Sequence, residues 1–123
     1  MRSQSIKTIH VVIADGSTRA RLGLSAMLSA QPGIHVAGGA TQGDEVLALV
    51  ADQQPDVVLL DARLPGSDGI KTARMLKMYF PKVRIIIISL YMDHQAEALA
   101  AGADMFLIKG CPIEELIGAV RGA

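Results

Sequence analysis

Five short apolar runs rich in β-branched residues alternate along this chain with five segments of helical periodicity, and few folds accommodate that alternation. The runs cover residues 9–14, 34–37, 57–60, 83–88 and 104–108. A nearly continuous apolar run suits a strand buried on both faces, as in a parallel sheet. The helical segments carry their own boundaries. Ser17-Thr18 offers an N-cap ahead of Ala20, Leu24, Met27 and Leu28, and Pro32-Gly33 stops that helix. Gly43-Asp44-Glu45 opens the second, with Val46, Leu49 and Val50 as its apolar face and Pro55 as its end. The third follows a loop at residues 65–69, turns Ile70, Ala73, Leu76 and Phe80 inward, and breaks at Pro81. The fourth, residues 93–101, is alanine-rich with a weak apolar face, and Gly102 stops it. The fifth starts near Pro112 with Glu114 and Glu115, and its stripe is Ile113, Leu116, Ile117 and Val120. The pattern predicts an α/β domain: five parallel strands covered on both faces by five helices, joined by right-handed crossovers in the order 2-1-3-4-5.

At 123 residues, half of them apolar, the chain makes one domain with a sizeable core. The expected domain covers residues 8–121, with residues 1–7 a disordered or short N-terminal extension. Twelve basic residues balance twelve acidic ones, which argues against a generally basic nucleic-acid binder or a polybasic membrane binder. With no Trp, two Phe and two Tyr, stacking platforms for single strands are not expected. No apolar run approaches the ~20 residues of a membrane helix, and residues 1–7 lack the apolar stretch of a secretory signal. The one cysteine, Cys111, forms no intrachain disulfide and fits a reducing, cytoplasmic compartment.

In open parallel sheets ligands bind outside the carboxyl ends of the strands, so the residues just after each run are the informative ones. Those positions hold Asp15, Asp61, Ser89 and Lys109. Each has a plain explanation alone: a turn residue or cap for the aspartates, a cap for Ser89, a solvated charge for Lys109. Together they place two carboxylates, a hydroxyl and an ammonium on one rim. Carboxylates suit a hard cation such as Mg²⁺ and can accept a phosphoryl group. A serine hydroxyl and a lysine ammonium can both hold phosphoryl oxygens. No histidine directly follows a strand as a general base, so the set reads as phosphoryl transfer rather than acyl transfer. A small phosphohydrolase or nucleotide-binding enzyme is disfavoured, because neither GxGxxG nor a P-loop is present.

The segment Val57-Val58-Leu59-Leu60-Asp61-Ala62-Arg63-Leu64-Pro65-Gly66-Ser67-Asp68-Gly69 resembles the phosphoacceptor segment of response-regulator receiver domains of two-component systems. Gly102-Ala103-Asp104-Met105-Phe106-Leu107-Ile108-Lys109 is similar to their fifth strand and its lysine. Arg21-Leu22-Gly23-Leu24 and Pro112-Ile113-Glu114-Glu115-Leu116 look like the subgroup carrying a LuxR-type helix-turn-helix output domain. The resemblance implies a flavodoxin-like fold and a phosphoprotein role in signal transduction and transcription regulation. It implies Asp61 as phosphoacceptor, Asp15 as the acidic-pocket residue, Ser89 and Phe106 as switch residues, and Lys109 as the phosphate-pairing residue. Mg²⁺ would be held by Asp61, the Arg63 backbone carbonyl and, through water, Asp15. The implied partners are a sensor histidine kinase and a second copy of the domain on activation. DNA contact would come only through a C-terminal helix-turn-helix domain, with no membrane partner. The implied chemistry is self-phosphorylation and self-dephosphorylation only, so the domain is not an enzyme in the ordinary sense.

Three positions depart from the family pattern. Gly16 stands where a second acid is usual, so Mg²⁺ is expected to bind weakly, and Gly16→Asp is expected to tighten it. Leu90 follows Ser89 where a small residue is usual, and is expected to narrow the entrance. Arg63 is either a partner for Asp15 or Asp61 that partly replaces the cation, or a solvated loop arginine. These departures leave a second reading open, an atypical receiver acting as an interaction or dimerisation module without phosphorylation. Lys71, Arg74 and Lys77, with Arg63, Lys82 and Arg84 nearby, make either an anionic-partner face or a solvated helix side. Cys111 beside the Lys109 loop reads as an idle thiol rather than a redox group.

Overall fold

The computed structural model describes residues 7–122. The expected N-terminal extension lies outside the described residues except for Lys7. One parallel sheet contains β1 (Ile9–Ala14), β2 (Ile34–Ala40), β3 (Val57–Asp61), β4 (Arg84–Ser89) and β5 (Met105–Ile108), in the order β2-β1-β3-β4-β5. The helices are α1 (Thr18–Ser29), α2 (Gly43–Gln53), α3 (Gly69–Tyr79), α4 (Gln95–Ala100) and α5 (Ile113–Arg121). This is the predicted doubly wound order.

Strand alternation divides the core in two. Val12, Ala14, Val58, Leu60, Ile85 and Ile87 face Val46 and Val50 of α2, Ala73 and Leu76 of α3, and Ala98 of α4. Val11, Ile13, Leu59, Ile86, Ile88 and Leu107 face Leu28 of α1 and Leu116, Ala119 and Val120 of α5. Because side chains alternate with period two, a one-residue slip of any central strand would exchange these two sets. The register also decides which rim residues share a face. Asp61 pairs with Ile88, whereas Ser89 pairs with Ile108 one step further along.

Several boundaries differ from the sequence expectation. β2 runs past Ala37 through Gly38 and Gly39 to Ala40, with its register against β1 shifting between Val11 and Val12. Glycine has little strand preference of its own. Here it leaves room, since a Cβ on Gly38 would come within 3.0 Å of Leu49 Cδ2 on α2. Met27 is 39% exposed, so Leu28 alone anchors α1 in the core cluster as a buried side chain. The fourth helical segment begins as a 3₁₀ turn, Met92–His94, before α4 proper. The loop at 65–69 contains a short antiparallel ladder of Arg63–Leu64 with Ser67–Asp68. Pro65-Gly66 sits at its corner, and the Gly66 φ of 68° fits the second corner position of a type II turn. Asp68 then caps α3, accepting the Ile70 and Lys71 N–H groups.

The basic face is smaller than its sequence suggests. Lys77 pairs with Asp104 at 2.8 Å and donates to the Val83 carbonyl. Burial raises the Asp104 carboxyl, but the Lys77 and Ile85 hydrogen bonds outweigh it and hold the group below the usual carboxylate range. Arg84 donates to the Ala119 and Val120 carbonyls at the end of α5, which satisfies that helix's terminal acceptors. Arg63, Lys71, Arg74 and Lys82 remain as exposed charges.

Candidate functional site

All five strands run the same way, so their carboxyl ends form one rim. Asp61 closes β3, Ser89 closes β4, Asp15 follows β1, and Lys109 follows β5. Lys109 Nζ bridges the two acids, 2.9 Å from Asp15 Oδ2 and 2.7 Å from Asp61 Oδ2. The other carboxylate oxygens accept backbone N–H groups. Ser17 N lies 2.9 Å from Asp15 Oδ1, and Arg63 N lies 3.0 Å from Asp61 Oδ1. Asp15 is only 3% exposed, and a buried carboxylate requires such partners. Burial lowers the Lys109 ammonium's pKa, but hydrogen bonds and charge from Asp61 and Asp15 more than reverse this, so it lies above the ordinary lysine value.

Ser89 stands apart from this trio. It falls on the sheet face of Ile85 and Ile87 and is 2% exposed. Its Oγ lies 2.6 Å from His94 Nδ1 and accepts the Tyr91 N–H at 3.1 Å. No histidine directly follows a strand, yet His94, five residues past Ser89, reaches this rim. Spacing from the strand ends does not reveal this contact, because the 3₁₀ turn Met92–His94 folds His94 back onto Ser89. Phe106, paired with Ile87, is half-buried against the same core layer.

Of the two readings of Arg63 the solvated loop arginine holds, whereas the expected intrusion of Leu90 does not. Arg63 does not pair with either acid. It is exposed, and its guanidinium carbon lies 5.3 Å from the Tyr91 ring centroid, while Lys109 occupies the space between the carboxylates. Leu90 is 64% exposed and points into solvent, because the buried Ser89 turns its neighbour outward. The Cys111 thiol is pushed up by burial and by the Glu115 charge, which makes it less reactive.

Gly16 has a steric cause that sequence spacing did not reveal. A Cβ there would sit 2.5 Å from Pro65 Cδ and 2.6 Å from Pro65 Cγ. The missing side chain lets the Pro65-Gly66 turn lie against the end of β1. Asp15 and Asp61 supply hard oxygen donors that fit Mg²⁺ with a water-rich shell. Among the described residues no three His, Cys, Asp or Glu side chains gather as a metal cluster. Gly16→Asp alone is accordingly expected to destabilise the fold by about 1–2 kcal/mol, the usual scale of overpacking. The double variant Gly16→Asp with Pro65→Ala is expected to regain that stability and bind Mg²⁺ more tightly than the native chain. Thermal melts and calorimetric Mg²⁺ titrations check this. A single variant as stable as the native chain and tighter for Mg²⁺ would show that Pro65 is no obstacle.

A doubly wound parallel sheet with paired acids and a lysine at its carboxyl rim is the architecture of a signalling receiver. The sequence model described as "Response regulator receiver domain" matches residues 11–121, and the chain belongs to that family. It is 33% identical over 117 residues to the transcriptional regulatory protein LiaR of Bacillus subtilis, covering 94% of this chain and 56% of LiaR. The receiver domain of the putative response regulator NarL from Mycobacterium tuberculosis superposes with a TM-score of 0.88 at 33% identity, covering 94% of this chain and 95% of that one. A LuxR-family response regulator from Aurantimonas gives a TM-score of 0.89 at 26% identity, covering 94% of this chain and 84% of that one. The chain spans about half the length of the curated relatives it matches. Among the described residues no helix is long and apolar enough to cross a membrane.

Proposed function

We propose that this domain accepts a phosphoryl group on Asp61 from the phosphohistidine of a sensor kinase and thereby switches a partner. The carrying observation is the Lys109 ammonium lying within 3 Å of carboxylate oxygens on both Asp61 and Asp15, at 2.7 and 2.9 Å. An Asp61 carboxylate oxygen attacks phosphorus. The new O–P bond forms as the P–N bond breaks, and the electron pair stays on the departing imidazole nitrogen. Lys109 is placed to pair with the incoming phosphoryl oxygens, and Asp15 holds the ammonium in position. Mg²⁺, held weakly by Asp15, Asp61 and the Arg63 carbonyl, would supply further compensation for the negative charge on the transferring oxygens. Ser89, and Phe106 on the same face, carry the switch when the Ser89 hydroxyl turns toward the phosphoryl group.

In the longer relatives the names speak of transcriptional regulation, and we extend that to the protein containing this domain. The expected setting is cytoplasmic, with a second copy of the domain as partner on activation and DNA bound only through a separate helix-turn-helix domain. The closure of the Gly16 position by Pro65 favours one alternative, a receiver that phosphorylates poorly and acts through protein contacts. Intact mass after treatment with acetyl phosphate and Mg²⁺ separates the two. One added phosphoryl mass, absent in Asp61→Asn, supports the phosphoacceptor reading. No adduct even at high Mg²⁺, or an adduct that survives Asp61→Asn, overturns it.

A further inference from the structure

The shortest side-chain contact on the far side of the rim, Ser89 Oγ to His94 Nδ1 at 2.6 Å, has no part in the scheme above. It is a built contact. Ser89 is 2% exposed, and its Oγ already accepts the Tyr91 N–H. The Tyr91 ring packs edge-on against the imidazole at 5.9 Å, and Arg63 lies over the Tyr91 ring. With one lone pair taken by Tyr91, the hydroxyl still has its single proton to give, and Nδ1 of a neutral imidazole protonated on Nε2 is an acceptor. Asp61 lies across the sheet, on the face of Ile88, its register partner.

We propose that His94 is a positioning residue that holds the Ser89 hydroxyl on the α4 side, so that His94 and a phosphoryl group on Asp61 compete for the same hydrogen. This rests on the phosphoacceptor reading. One hydroxyl proton serves one acceptor, so Ser89 leaves His94 whenever it donates to the phosphoryl group. His94 thus biases the domain toward its resting state and sets how much phosphoryl-group affinity is spent on switching.

The test uses the full chain with ¹⁵N-labelled histidine and beryllofluoride with saturating Mg²⁺ as the phosphoryl mimic. Three histidines are present, and the His94→Asn spectrum identifies the resonance. In the resting protein Nδ1 should appear unprotonated and hydrogen-bonded, and beryllofluoride should move it, with no response in Asp61→Asn. His94→Leu removes the competitor and should tighten beryllofluoride binding about fivefold, the scale of one net hydrogen bond. His94→Asn, whose amide oxygen accepts in place of Nδ1, should stay within about twofold of native. A merely structural histidine would give equal or weaker binding in His94→Leu. That outcome, a proton on Nδ1 at rest, or an Nδ1 signal unmoved by an Asp61-dependent ligand overturns the proposal. Failure of beryllofluoride to bind the native chain is a different result, because it removes the phosphoacceptor reading and the competition with it.

Discussion

Gly69→Ala is expected to lower stability by about 3 kcal/mol, at the upper end of overpacking effects, and to slow phosphoryl uptake together with it. Gly69 is the first residue of α3, and its N–H donates to the Ala62 carbonyl at 3.0 Å. An added Cβ would overlap the Asp61 backbone carbonyl oxygen and meet the Ala62 carbonyl at 2.9 Å. These are backbone atoms at the end of β3, so no flexible side chain can swing away. The φ of Gly69 is not in the left-handed region, so space and not conformational freedom demands the glycine. Relief of the overlap has to displace Asp61 itself. Thermal melting should show a drop of roughly 10 °C for a domain of this size, and the rate of adduct formation should fall in the same variant. A melting change under about 3 °C with an unchanged rate would show that the start of α3 yields without moving the acid.

Lys109→Ala should be nearly as damaging and more informative. Among the described residues it removes the one cation bonded to both Asp15 and Asp61, leaving a carboxylate that is 3% exposed beside a second one. Stranding a buried charge costs about 3–5 kcal/mol when the pair is fully enclosed. The Lys109 side chain keeps 26% of its exposure, so water screens part of the effect, and a loss of about 2 kcal/mol is expected here. Mg²⁺ should raise the melting temperature of Lys109→Ala more than that of the native chain, because the divalent ion takes over the charge compensation. The pH dependence has a definite sign. Lys109 has a folded pKa above its ordinary value, so its contribution is fully present below that ordinary value and fades only as pH rises through the raised one. The stability gap between native chain and variant should therefore persist across neutral and mildly alkaline pH and close only in strongly alkaline solution. Equal stability and an equal Mg²⁺ response would show that the ammonium does not hold the two acids together.

The two variants act on one pocket by different physics. Gly69 protects the place of Asp61 through excluded volume, which no change of ions relieves. Lys109 protects the same acid through charge, which a divalent ion can replace. Comparing the Mg²⁺ response of the two therefore separates a displaced Asp61 from one that is merely uncompensated.

The strand-helix alternation was legible in the sequence because burial on both faces forces nearly unbroken apolar runs such as residues 57–60 and 83–88. The rim positions of Asp15, Asp61, Ser89 and Lys109 followed from the same fact, since a parallel sheet puts the residues after each run on one side. Family membership rested on the segments around Asp61 and Lys109 and agrees with the match over residues 11–121. The sequence put Lys109 within ion-pair reach of Asp61, as the 2.7 Å contact has it, but it did not predict that Lys109 would also bond Asp15 or that Ser89 would bond His94. Ser89 and Asp61 stand one register step apart and so lie on opposite sheet faces, which sends Ser89 to His94 and leaves Lys109 to the acids. Nor did it show that Gly16 and Gly69 are glycines for lack of room. The atoms that crowd them, Pro65 in one case and the Asp61 carbonyl in the other, come from the turn and strand end between β3 and α3. Periodicity records which side of an element is apolar, a property of neighbours along the chain, and so it determined the elements, their order and the rim. Contacts such as Pro65 on Gly16, Tyr91 beneath Arg63, and Lys109 between two acids depend on angstrom-scale distances between separate elements, and only the packed structure decided them.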